Sequence, residues 1–550
     1  MLIKSKKFKI FDSDALKNFH KRIFFSIIIF SCFYFVAIFR IADVMVFKFN
    51  KNELKEQVQT NDRGKIYDRN GQLLASNIKS YSLFVNASKM NNKFEIAEKL
   101  SPILNLKKDI IYKKINSNKK FVYIKRNISP IEHQKIINLG EISLQTELEK
   151  NRIYPFRNTA SHLVGFVDID NQGKAGVEKG FDDLLKNNQD LYLTIDINLQ
   201  NAVRNELFKT VKIFSAESGS VIIMDIQNSE ILSLINYPDF DPNNYSTSTF
   251  DQRLNRILQS NYEMGSTFKP LTVAMGMDID LIKKDMSFDV SKPIKHINDW
   301  NPCDCELSVK NIIVKSSNIG TAKIAKIIGK ENQKNFFKLA GFFDQINIDL
   351  IEAAYPLGNT YNWGLMETMT IGYGYGFAIT PMHLAVAYNA ILNEGKKTKP
   401  KILLNDNDDS FTQIIKKETS KYIASLLKAV IEESEYTGPR VKIKGYDIGG
   451  KTGTSELTNS IGDYDEDLNR TIFIGALPMS KPKYLVLTFI DKPKRIKEYN
   501  YSITSATVNA PLVKNIIKKI IEILKVPKYE NQIILNAATS LNYNQDNAIN

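Results

Sequence analysis

A serine and a lysine stand three residues apart at the start of an apolar stretch, where a nucleophile and a base could meet. In the segment Met264 to Pro270 these residues are Ser266 and Lys269, and both fall on one face of a helix's first turn. Ser266 would have a candidate base beside it, and the N–H groups at the helix start could receive an oxyanion. The spacing is common, however, and alone it predicts only an ordinary helix N-cap.

Two distant motifs give that pair a chemical context. One is Ser-Ser-Asn at 316–318, where a helical segment meets a loop, and the other is Lys-Thr-Gly at 451–453, which ends a Gly-rich strand. Either triplet alone is common in proteins. The order and wide spacing of all three motifs are much less expected by chance, and the set is typical of serine enzymes that form an acyl-enzyme. The sequence therefore predicts that Ser266 is a nucleophile.

The three motifs carry a resemblance to a known family. The chain resembles the class B penicillin-binding proteins, and most closely their septal (cell-division) peptidoglycan D,D-transpeptidases of the alphaproteobacterial type. The most specific part is Tyr-Glu-Met-Gly-Ser-Thr-Phe-Lys at 262–269, and the resemblance extends to about residue 525. Asn318 favours the division enzyme, because the elongation paralogue usually has aspartate at that position.

The N-terminal half resembles the non-catalytic pedestal of the same family. Residues 63–71, 152–165 and 173–178 resemble its motifs, and the Asn-Gly step in the first of them predicts a tight hairpin turn. Arg157 departs from the pattern, because glycine is expected there, and this leaves the geometry of that turn open. The resemblance implies an α+β fold: a penicillin-binding/β-lactamase-like transpeptidase domain, with an antiparallel sheet flanked by helices, on an elongated N-terminal pedestal with a single transmembrane helix.

The residue types account for acyl transfer. Ser266 would attack the carbonyl of the penultimate D-alanine in a stem peptide, release the terminal D-alanine and form an acyl-enzyme. Lys269 can act as the base only when neutral, so its pKa must fall well below the free value of about 10.4; burial and the charge of Lys451 would both lower it. Ser316 would relay a proton to the leaving amine, and Asn318 would hold Lys269 and the substrate amide. The identity of the acylation base is disputed for relatives.

The strand motif predicts the substrate contacts. Lys451, with the hydroxyls of Thr452 and Thr454, suits recognition of a terminal carboxylate, and the N–H groups of Ser266 and Thr454 are the expected oxyanion hole. Gly453, and the glycine three residues before it, would let the substrate lie along the strand as an added β-partner. An amine from a neighbouring stem peptide would then attack the acyl-enzyme and form a cross-link. β-Lactams, which mimic D-alanyl-D-alanine, would acylate Ser266; no metal or cofactor is expected.

Strands and helices must bring these residues into one cleft. A mostly helical region covers about 266–440, and strand candidates precede and follow it. The strand candidates are residues 218–226, 231–235, 446–455, 471–477 and 484–491. Strands, then helices, then strands again predict an α+β domain whose antiparallel sheet joins both ends of the segment. The segment Gly372 to Gly376 lacks the context of a phosphate loop and is expected to shape the rim of the cleft.

The N-terminus predicts a membrane anchor. Residues 1–22 are basic, and the apolar stretch from Ile23 to Phe47 would reach roughly 37 Å as a helix, enough to cross a bilayer with tilt. A cleaved signal peptide is the alternative, but its apolar core is usually shorter and no Ala-x-Ala-like site follows. We expect a single-pass inner-membrane protein with a cytoplasmic N-terminus and a periplasmic catalytic domain. The expected divisions are a cytoplasmic basic segment (1–22), the anchor (23–47), a dimerisation-like pedestal (48–190), the transpeptidase domain (191–525) and a polar tail (526–550).

Composition and cysteine content narrow the class of protein. The net charge is +14 and the pI about 9.2, but lysines and arginines are spread along the chain and no nucleic-acid motif is present. A basic surface near anionic lipid or cell-wall polymer is the better interpretation. Cys303 and Cys305 predict either two incidental thiols or a labile disulfide, not a zinc site. The histidines are scattered and none pairs with a Gly-x-Ser-x-Gly elbow, which argues against a histidine triad.

Several other functions fit the same motifs and stay open. They are an elongation-type transpeptidase, a D,D-carboxypeptidase, a β-lactamase or β-lactam sensor, and a structural division protein with a vestigial site. The resemblance implies stem peptides ending in D-Ala-D-Ala as substrate and β-lactams as inhibitors. It also implies partners in the membrane, namely a membrane-embedded glycan polymerase and other divisome proteins.

Overall fold

The structure, a computed structural model, describes residues 13–42, 62–117, 119–358, 363–458, 464–499 and 502–528. The chain divides into two compact units, one ending at Asn61 and the other beginning at Asp62. In the first unit, helix α1 (Ser13–Ala42) contains a candidate membrane span, His20–Ala42, with a mean hydropathy of 2.2. Its length of roughly 34 Å suffices to cross a bilayer. The predicted anchor's last residues, 43–47, lie outside the described part, as do 1–12, 48–61 and the tail from 529.

The second unit begins with a mixed region that corresponds to the predicted pedestal. Its strands are β1 (Ile66–Tyr67), β2 (Leu73–Val85), β3 (Val122–Ile128), β4 (Leu144–Ile153), β5 (Phe166–Val167), β6 (Gly173–Ala175) and β7 (Leu191–Tyr192). Its helices are α2 (Lys93–Leu104), α3 (Lys108–Ile115), α4 (Pro130–Ile137), α5 (Ser161–Val164), α6 (Gly176–Gly180) and α7 (Asp182–Lys186), with a 3-10 turn at Arg157–Ala160. Strand β2 is the centre of the larger sheet, since it pairs antiparallel with β1, β3 and β4.

Two turns in this region show how local sequence sets the backbone. The predicted hairpin between β1 and β2 is confirmed, and Gly71 takes the left-handed conformation (φ 80°) that such a turn favours. Arg157 also has a positive φ, 46°, which glycine tolerates better than arginine. The backbone at Arg157 therefore adopts a conformation that favours glycine, although a side chain is present. This answers the question that the sequence left open at Arg157.

A buried ion-pair network joins three distant segments of this region. The carboxylate of Glu178 accepts hydrogen bonds from Arg63 Nε at 2.6 Å and from Arg152 Nε at 2.7 Å. Arg63 also pairs with Asp182 at 2.7 Å, and the hydroxyl of Tyr154 donates to Glu178 at 3.3 Å. Glu178 has no solvent exposure, so its charge is compensated only by these partners. The three segments that resemble the family's pedestal motifs, 63–71, 152–165 and 173–178, are thus joined by one buried ion-pair network.

Removing the charge of Glu178 should destabilise this region strongly. Glu178→Gln would leave two buried guanidinium groups without their shared carboxylate, and breaking a buried pair in this way costs about 3–5 kcal/mol of unfolding free energy. Thermal unfolding of the purified chain measures the effect. Glu95→Gln is the matched control, because the Glu95–Lys99 pair is more than half exposed and worth less than about 1 kcal/mol. Equal unfolding temperatures for the two variants would contradict the role assigned to Glu178.

The rest of the second unit runs from Ile197. Its helices are α8 (Ile197–Ile213), α9 (Phe250–Arg253), α10 (Arg256–Gln259), α11 (Lys269–Asp278), α12 (Val309–Lys315), α13 (Asn318–Ala340), α14 (Leu365–Gly372), α15 (Pro381–Leu392), α16 (Lys417–Glu433), α17 (Gly438–Val441) and α18 (Ser505–Ile523), with 3-10 turns at Pro242–Thr247, Gly265–Phe268 and Lys497–Tyr499. Its strands are β8 (Ser218–Asp225), β9 (Ile231–Tyr237), β10 (Tyr262–Glu263), β11 (Ser287–Asp289), β12 (Glu306–Ser308), β13 (Leu357–Gly358), β14 (Phe377–Ile379), β15 (Lys396–Thr398), β16 (Phe411–Gln413), β17 (Gly449–Thr458), β18 (Tyr464–Leu477) and β19 (Tyr484–Asp491).

The main sheet has the order β17-β18-β19-β8-β9, and every neighbouring pair is antiparallel. Strands β8 and β19 are buried almost throughout, so helices must cover both faces of the sheet. Helices α8 and α18 pack on each other and on the sheet, while α15 and α16 contact the sheet as a second group and α11 packs against these two helices. The predicted α+β fold, with one antiparallel sheet joining the early and late strands, is confirmed.

Candidate active site

Ser266 lies in the 3-10 turn Gly265–Phe268, which runs directly into α11. The N–H of Gly265 donates to the carbonyl of Gly374 at 3.1 Å, and the hydroxyl of Thr267 donates to the carbonyl of Met264 at 2.6 Å. The hydroxyl of Tyr388, a buried side chain of α15, donates to the carbonyl of Thr267 at 2.6 Å. The turn that presents Ser266 is therefore held by the rest of the domain before any substrate binds.

Lys269 is fully buried, and its ammonium group is saturated with hydrogen bonds. It donates to the carbonyl of Ser316 at 2.5 Å, to the hydroxyl of Ser316 at 3.1 Å and to Oδ1 of Asn318 at 2.8 Å. Burial, and then the positive charge of Lys451, hold the pKa of Lys269 well below its usual value, and Asp299 opposes the shift. Burial and Lys451 are the two causes that the sequence suggested.

Ser316 occupies the junction between α12 and α13, with the left-handed backbone conformation φ 60°. Its hydroxyl accepts a hydrogen bond from Lys269 and a second one, at 3.0 Å, from Nζ of Lys451. A serine oxygen has two acceptor sites, so both are filled by lysines and the hydroxyl proton is left for another partner. Residues from all three sequence motifs thus meet at this one hydroxyl.

Lys451 lies on β17 and is buried. Burial lowers the pKa of its ammonium group to about 7, and the group also donates to the carbonyl of Thr452 at 3.0 Å. The hydroxyl of Thr454 accepts a hydrogen bond from the N–H of Ser505 at 3.1 Å, so one of its acceptor sites is occupied within the protein. The assignment of the Ser266 and Thr454 N–H groups to an oxyanion hole stays a prediction.

The glycines of β17 lie close to other parts of the protein itself. A Cβ at Gly453 would lie 2.9 Å from the carbonyl oxygen of Met264 and 3.0 Å from Thr267 Cγ2. At Gly450 it would lie 2.4 Å from the ring of Phe473 on the neighbouring strand. The strand therefore needs glycine to pass close to the protein's own backbone and side chains, and above all to the turn that carries Ser266.

The segment Gly372 to Gly376 packs against the Ser266 turn as well. A Cβ at Gly374, whose φ is 97°, would lie 2.0 Å from the carbonyl oxygen of Gly265. The hydroxyl of Tyr375 donates to the carbonyl of Thr454 at 3.3 Å, which ties the segment to β17. This close packing positions the turn and goes beyond the expected role in shaping a rim.

Gly374→Ala should therefore displace the turn and slow acylation of Ser266 by about tenfold or more, because a shift of about 1 Å near reacting atoms can cost that much. The rate of covalent capture of a β-lactam measures the effect. Gly376→Ala is the matched control: its φ is also positive, 84°, but a Cβ there meets nothing closer than 3.6 Å. Both variants bear the backbone strain, and only the first bears the clash. Equal losses in the two would argue against the packing role of Gly374.

Asp299 is a site residue that sequence reasoning missed. Its carboxylate accepts hydrogen bonds from Ser317 Oγ at 2.6 Å, from the N–H of Asn318 at 2.5 Å and from the N–H of Ile319 at 3.0 Å. No sequence motif links an aspartate in a loop to the start of a helix that lies well beyond it in the chain, so no sequence signal pointed to Asp299. Cys303 and Cys305 of the same loop form a disulfide, which removes the alternative of two thiols. In the described residues no cluster of His, Cys, Asp and Glu could hold a metal.

Comparison with known proteins places this constellation in a family. The model of the penicillin-binding protein transpeptidase domain matches residues 219–518, and that of the penicillin-binding protein dimerisation domain matches residues 58–213. The chain is 30% identical to the probable peptidoglycan D,D-transpeptidase FtsI of Caulobacter vibrioides, over 85% of this chain and 82% of the relative. It is 26% identical to the peptidoglycan D,D-transpeptidase FtsI of Escherichia coli, over 85% of each chain.

A solved structure agrees with these sequence matches at the level of the fold. A peptidoglycan synthetase from Bifidobacterium adolescentis superimposes with a TM-score of 0.67 at 20% identity, and the match covers 85% of this chain and 96% of the other. A transpeptidase domain that matches more than half of the chain follows a dimerisation domain, as the motifs and the sheet order led us to expect. The chain belongs to the class B penicillin-binding proteins.

Proposed function

We propose that this protein is the septal peptidoglycan D,D-transpeptidase of its cell, which cross-links stem peptides through an acyl-enzyme on Ser266. One observation carries the proposal. Lys269 is buried without solvent exposure, one helical turn beyond Ser266. It donates hydrogen bonds to Ser316 and Asn318, and Lys451 donates to the same hydroxyl of Ser316. A buried lysine with a lowered pKa beside a serine is a means of activating that serine at neutral pH.

The first half-reaction forms an ester. The hydroxyl oxygen of Ser266 attacks the carbonyl carbon of the penultimate D-alanine, and neutral Lys269 takes the proton. The C–N bond to the terminal D-alanine breaks, and the leaving nitrogen receives a proton through Ser316. Both acceptor sites of Ser316 are filled by lysines, so its own proton points away from them and can be donated. Lys269 replaces that proton, which returns it to the neutral form.

The second half-reaction consumes the ester. An amine of a neighbouring stem peptide attacks the acyl carbon, a new amide forms as the ester C–O bond to Ser266 breaks, and the proton released by the amine returns to the Ser266 oxygen. In the first half-reaction, Lys451, with the hydroxyls of Thr452 and Thr454, binds the terminal carboxylate of the donor peptide. In both half-reactions the N–H groups of Ser266 and Thr454 stabilise the oxyanion. Gly453 lets β17 lie close to the turn that carries Ser266. β-Lactams enter the first half-reaction as mimics of D-Ala-D-Ala and stay attached to Ser266.

The candidate membrane span and the two family matches support the order of the proposed domains. Residues 1–22 form a cytoplasmic segment, 23–47 the anchor, 48–190 the pedestal, 191–525 the transpeptidase domain and 526–550 a polar tail. Helix α1, which contains the candidate membrane span, supports the single-pass topology. In that topology the catalytic domain is periplasmic, where its substrate lies. We further propose that a membrane-embedded glycan polymerase and other divisome proteins contact the anchor and the pedestal.

The proposal is tested with the full chain in detergent micelles and a stem peptide ending in D-Ala-D-Ala. We expect D-alanine release together with an acceptor-dependent cross-linked product, identified by mass spectrometry. Release of D-alanine with water as the only acceptor would favour a carboxypeptidase. Repeated turnover of penicillin would favour a β-lactamase.

Depletion of the protein in cells tests the septal assignment separately. We expect filaments without septa, because septal cross-linking would stop while elongation continues. Rounded cells would assign the chain to elongation. The relatives named FtsI favour the first outcome.

A further inference from the structure

Asp299 lies in the loop between β11 and β12, 17 residues before Ser316 along the chain. Its two carboxylate oxygens accept three hydrogen bonds from consecutive residues at the start of α13. Oδ2 accepts from the hydroxyl of Ser317 at 2.6 Å, and Oδ1 accepts from the N–H groups of Asn318 and Ile319 at 2.5 and 3.0 Å. One side chain thus holds the whole first turn of the helix that carries Asn318.

The neighbouring residue of the loop orients the side chain of Asn318. The carbonyl of Asn298 accepts from Nδ2 of Asn318 at 2.8 Å, and this leaves Oδ1 of Asn318 to accept from Nζ of Lys269 at 2.8 Å. A rotated amide would point its NH₂ group at an ammonium group, where two donors would face each other. The loop therefore fixes both the backbone and the side-chain orientation of the residue that holds Lys269.

This support is more than an ordinary helix cap. Helix α13 already has an N-cap, because the hydroxyl of Ser317 accepts from the N–H of Gly320 at 2.9 Å. Asp299 adds a negative charge from outside the helix, close to the buried ammonium group. In the described residues, the charged groups that act on Lys269 are Lys451 from β17 and Asp299 from this loop, and they act in opposite directions.

We propose that Asp299 is a positioning residue for acyl transfer, which keeps the Asn318 amide oxygen on Lys269 and sets the charge balance against Lys451. The inference rests on the proposed function, since it assumes that Lys269 is the base for Ser266. It adds a loop residue, outside the three motifs, whose carboxylate acts on the reaction without touching substrate.

The sign of its electrostatic effect can be derived. The negative charge of Asp299 favours protonated Lys269 and so raises its pKa, against the stronger effects of burial and Lys451. Asp299→Asn removes this charge, and the pKa of Lys269 falls further. Neutral Lys269 then persists to lower pH. The acidic limb of the acylation rate, plotted against pH, should therefore move to lower pH.

Two variants separate the charge from the geometry. Asp299→Asn keeps an oxygen for the N–H groups of Asn318 and Ile319, so we expect the shifted limb with most of the optimum rate retained. Asp299→Ala loses all three hydrogen bonds, and the optimum rate should fall about tenfold, since misplaced groups near reacting atoms carry costs of this size or more. Asp304→Asn, at an exposed position of the same loop, is the matched control and should resemble the unmodified chain.

The measurement is the pseudo-first-order rate of acylation by a chromogenic cephalosporin, with the full chain in detergent, from weakly acidic to weakly alkaline pH. Thermal unfolding of each variant accompanies it. A uniform loss of rate in Asp299→Asn with an unmoved acidic limb would reduce Asp299 to a structural cap and overturn the proposal, and so would an unchanged rate and limb in both variants. If Asp299→Ala does not fold, Asp299→Asn alone decides. Absence of acylation in the unmodified chain would instead refute the proposed function, which is a separate outcome.

Discussion

Ser266→Ala should abolish covalent labelling of this protein by fluorescent penicillin. The adduct is an ester on the Ser266 hydroxyl, and the variant has no oxygen there to form it. The fold should survive, because the turn is held through the backbone of Gly265 and through Thr267, not through the Ser266 side chain. Gel fluorescence after incubation and denaturation measures the adduct, and thermal unfolding checks the fold.

The matched control for this prediction is Ser425→Ala. Ser425 is an exposed serine of α16 whose hydroxyl donates only to the carbonyl of Tyr422, so labelling should be unchanged. Labelling that persists in Ser266→Ala would transfer the nucleophile to another residue and with it the whole assignment of the site. Loss of labelling in both variants would show that the assay reports a general change in the protein.

Lys269→Met should slow acylation by about 10² to 10⁴, which is the usual contribution of a positioned general base. Methionine is similar in length and fits a buried position, but it can neither take the proton of Ser266 nor hold Ser316 and Asn318 by hydrogen bonds. The unmodified enzyme should also lose rate as the pH falls through the pKa of Lys269. That pKa lies well below the usual lysine value, so a larger fraction of Lys269 is neutral at any given pH than for an exposed lysine.

The control is Lys326→Met, which removes an exposed lysine from α13. Its acylation rate and pH dependence should match those of the unmodified chain, because Lys326 is exposed and lies ten residues beyond Ser316 along the chain. Lys269→Met should lack the acidic limb altogether, since the group that titrates is gone. An acidic limb that survives in Lys269→Met would show that another residue is the base, and Lys451 would be the first alternative to examine.

The geometry suggests why two lysines are placed on one hydroxyl. Each ammonium group is buried, and the positive charge of Lys451 makes a second charge at Lys269 costly. The pair therefore favours one proton fewer than two isolated lysines would carry, with the neutral member available as a base and the charged member available for a carboxylate. Ser316, between them, can pass a proton without either lysine having to move.

Local sequence patterns predict many of the helices, strands and turns of this protein. The apolar run in α1 predicts a span, the Asn-Gly step before β2 predicts its hairpin, and short apolar runs mark the late strands, because each pattern depends on neighbours along the chain. The three motifs identify the chemistry, since a serine, a lysine three residues on and a second lysine in a distant Lys-Thr-Gly are together typical of enzymes that form an acyl-enzyme. The order of the motifs was enough to indicate the family.

The tertiary structure decided which residues hold those motifs in place. Asp299, in a loop, accepts a hydrogen bond from the start of α13. Gly374 packs against Gly265, which lies more than a hundred residues earlier in the chain. Glu178 forms ion pairs with both Arg63 and Arg152. Such contacts have no period or spacing in the chain, because they arise only when separate elements pack. The sequence could therefore name Ser266 and Lys269, but only the folded chain shows how the half-buried hydroxyl of Ser316 joins Lys269 to Lys451 and what holds the Ser266 turn in place.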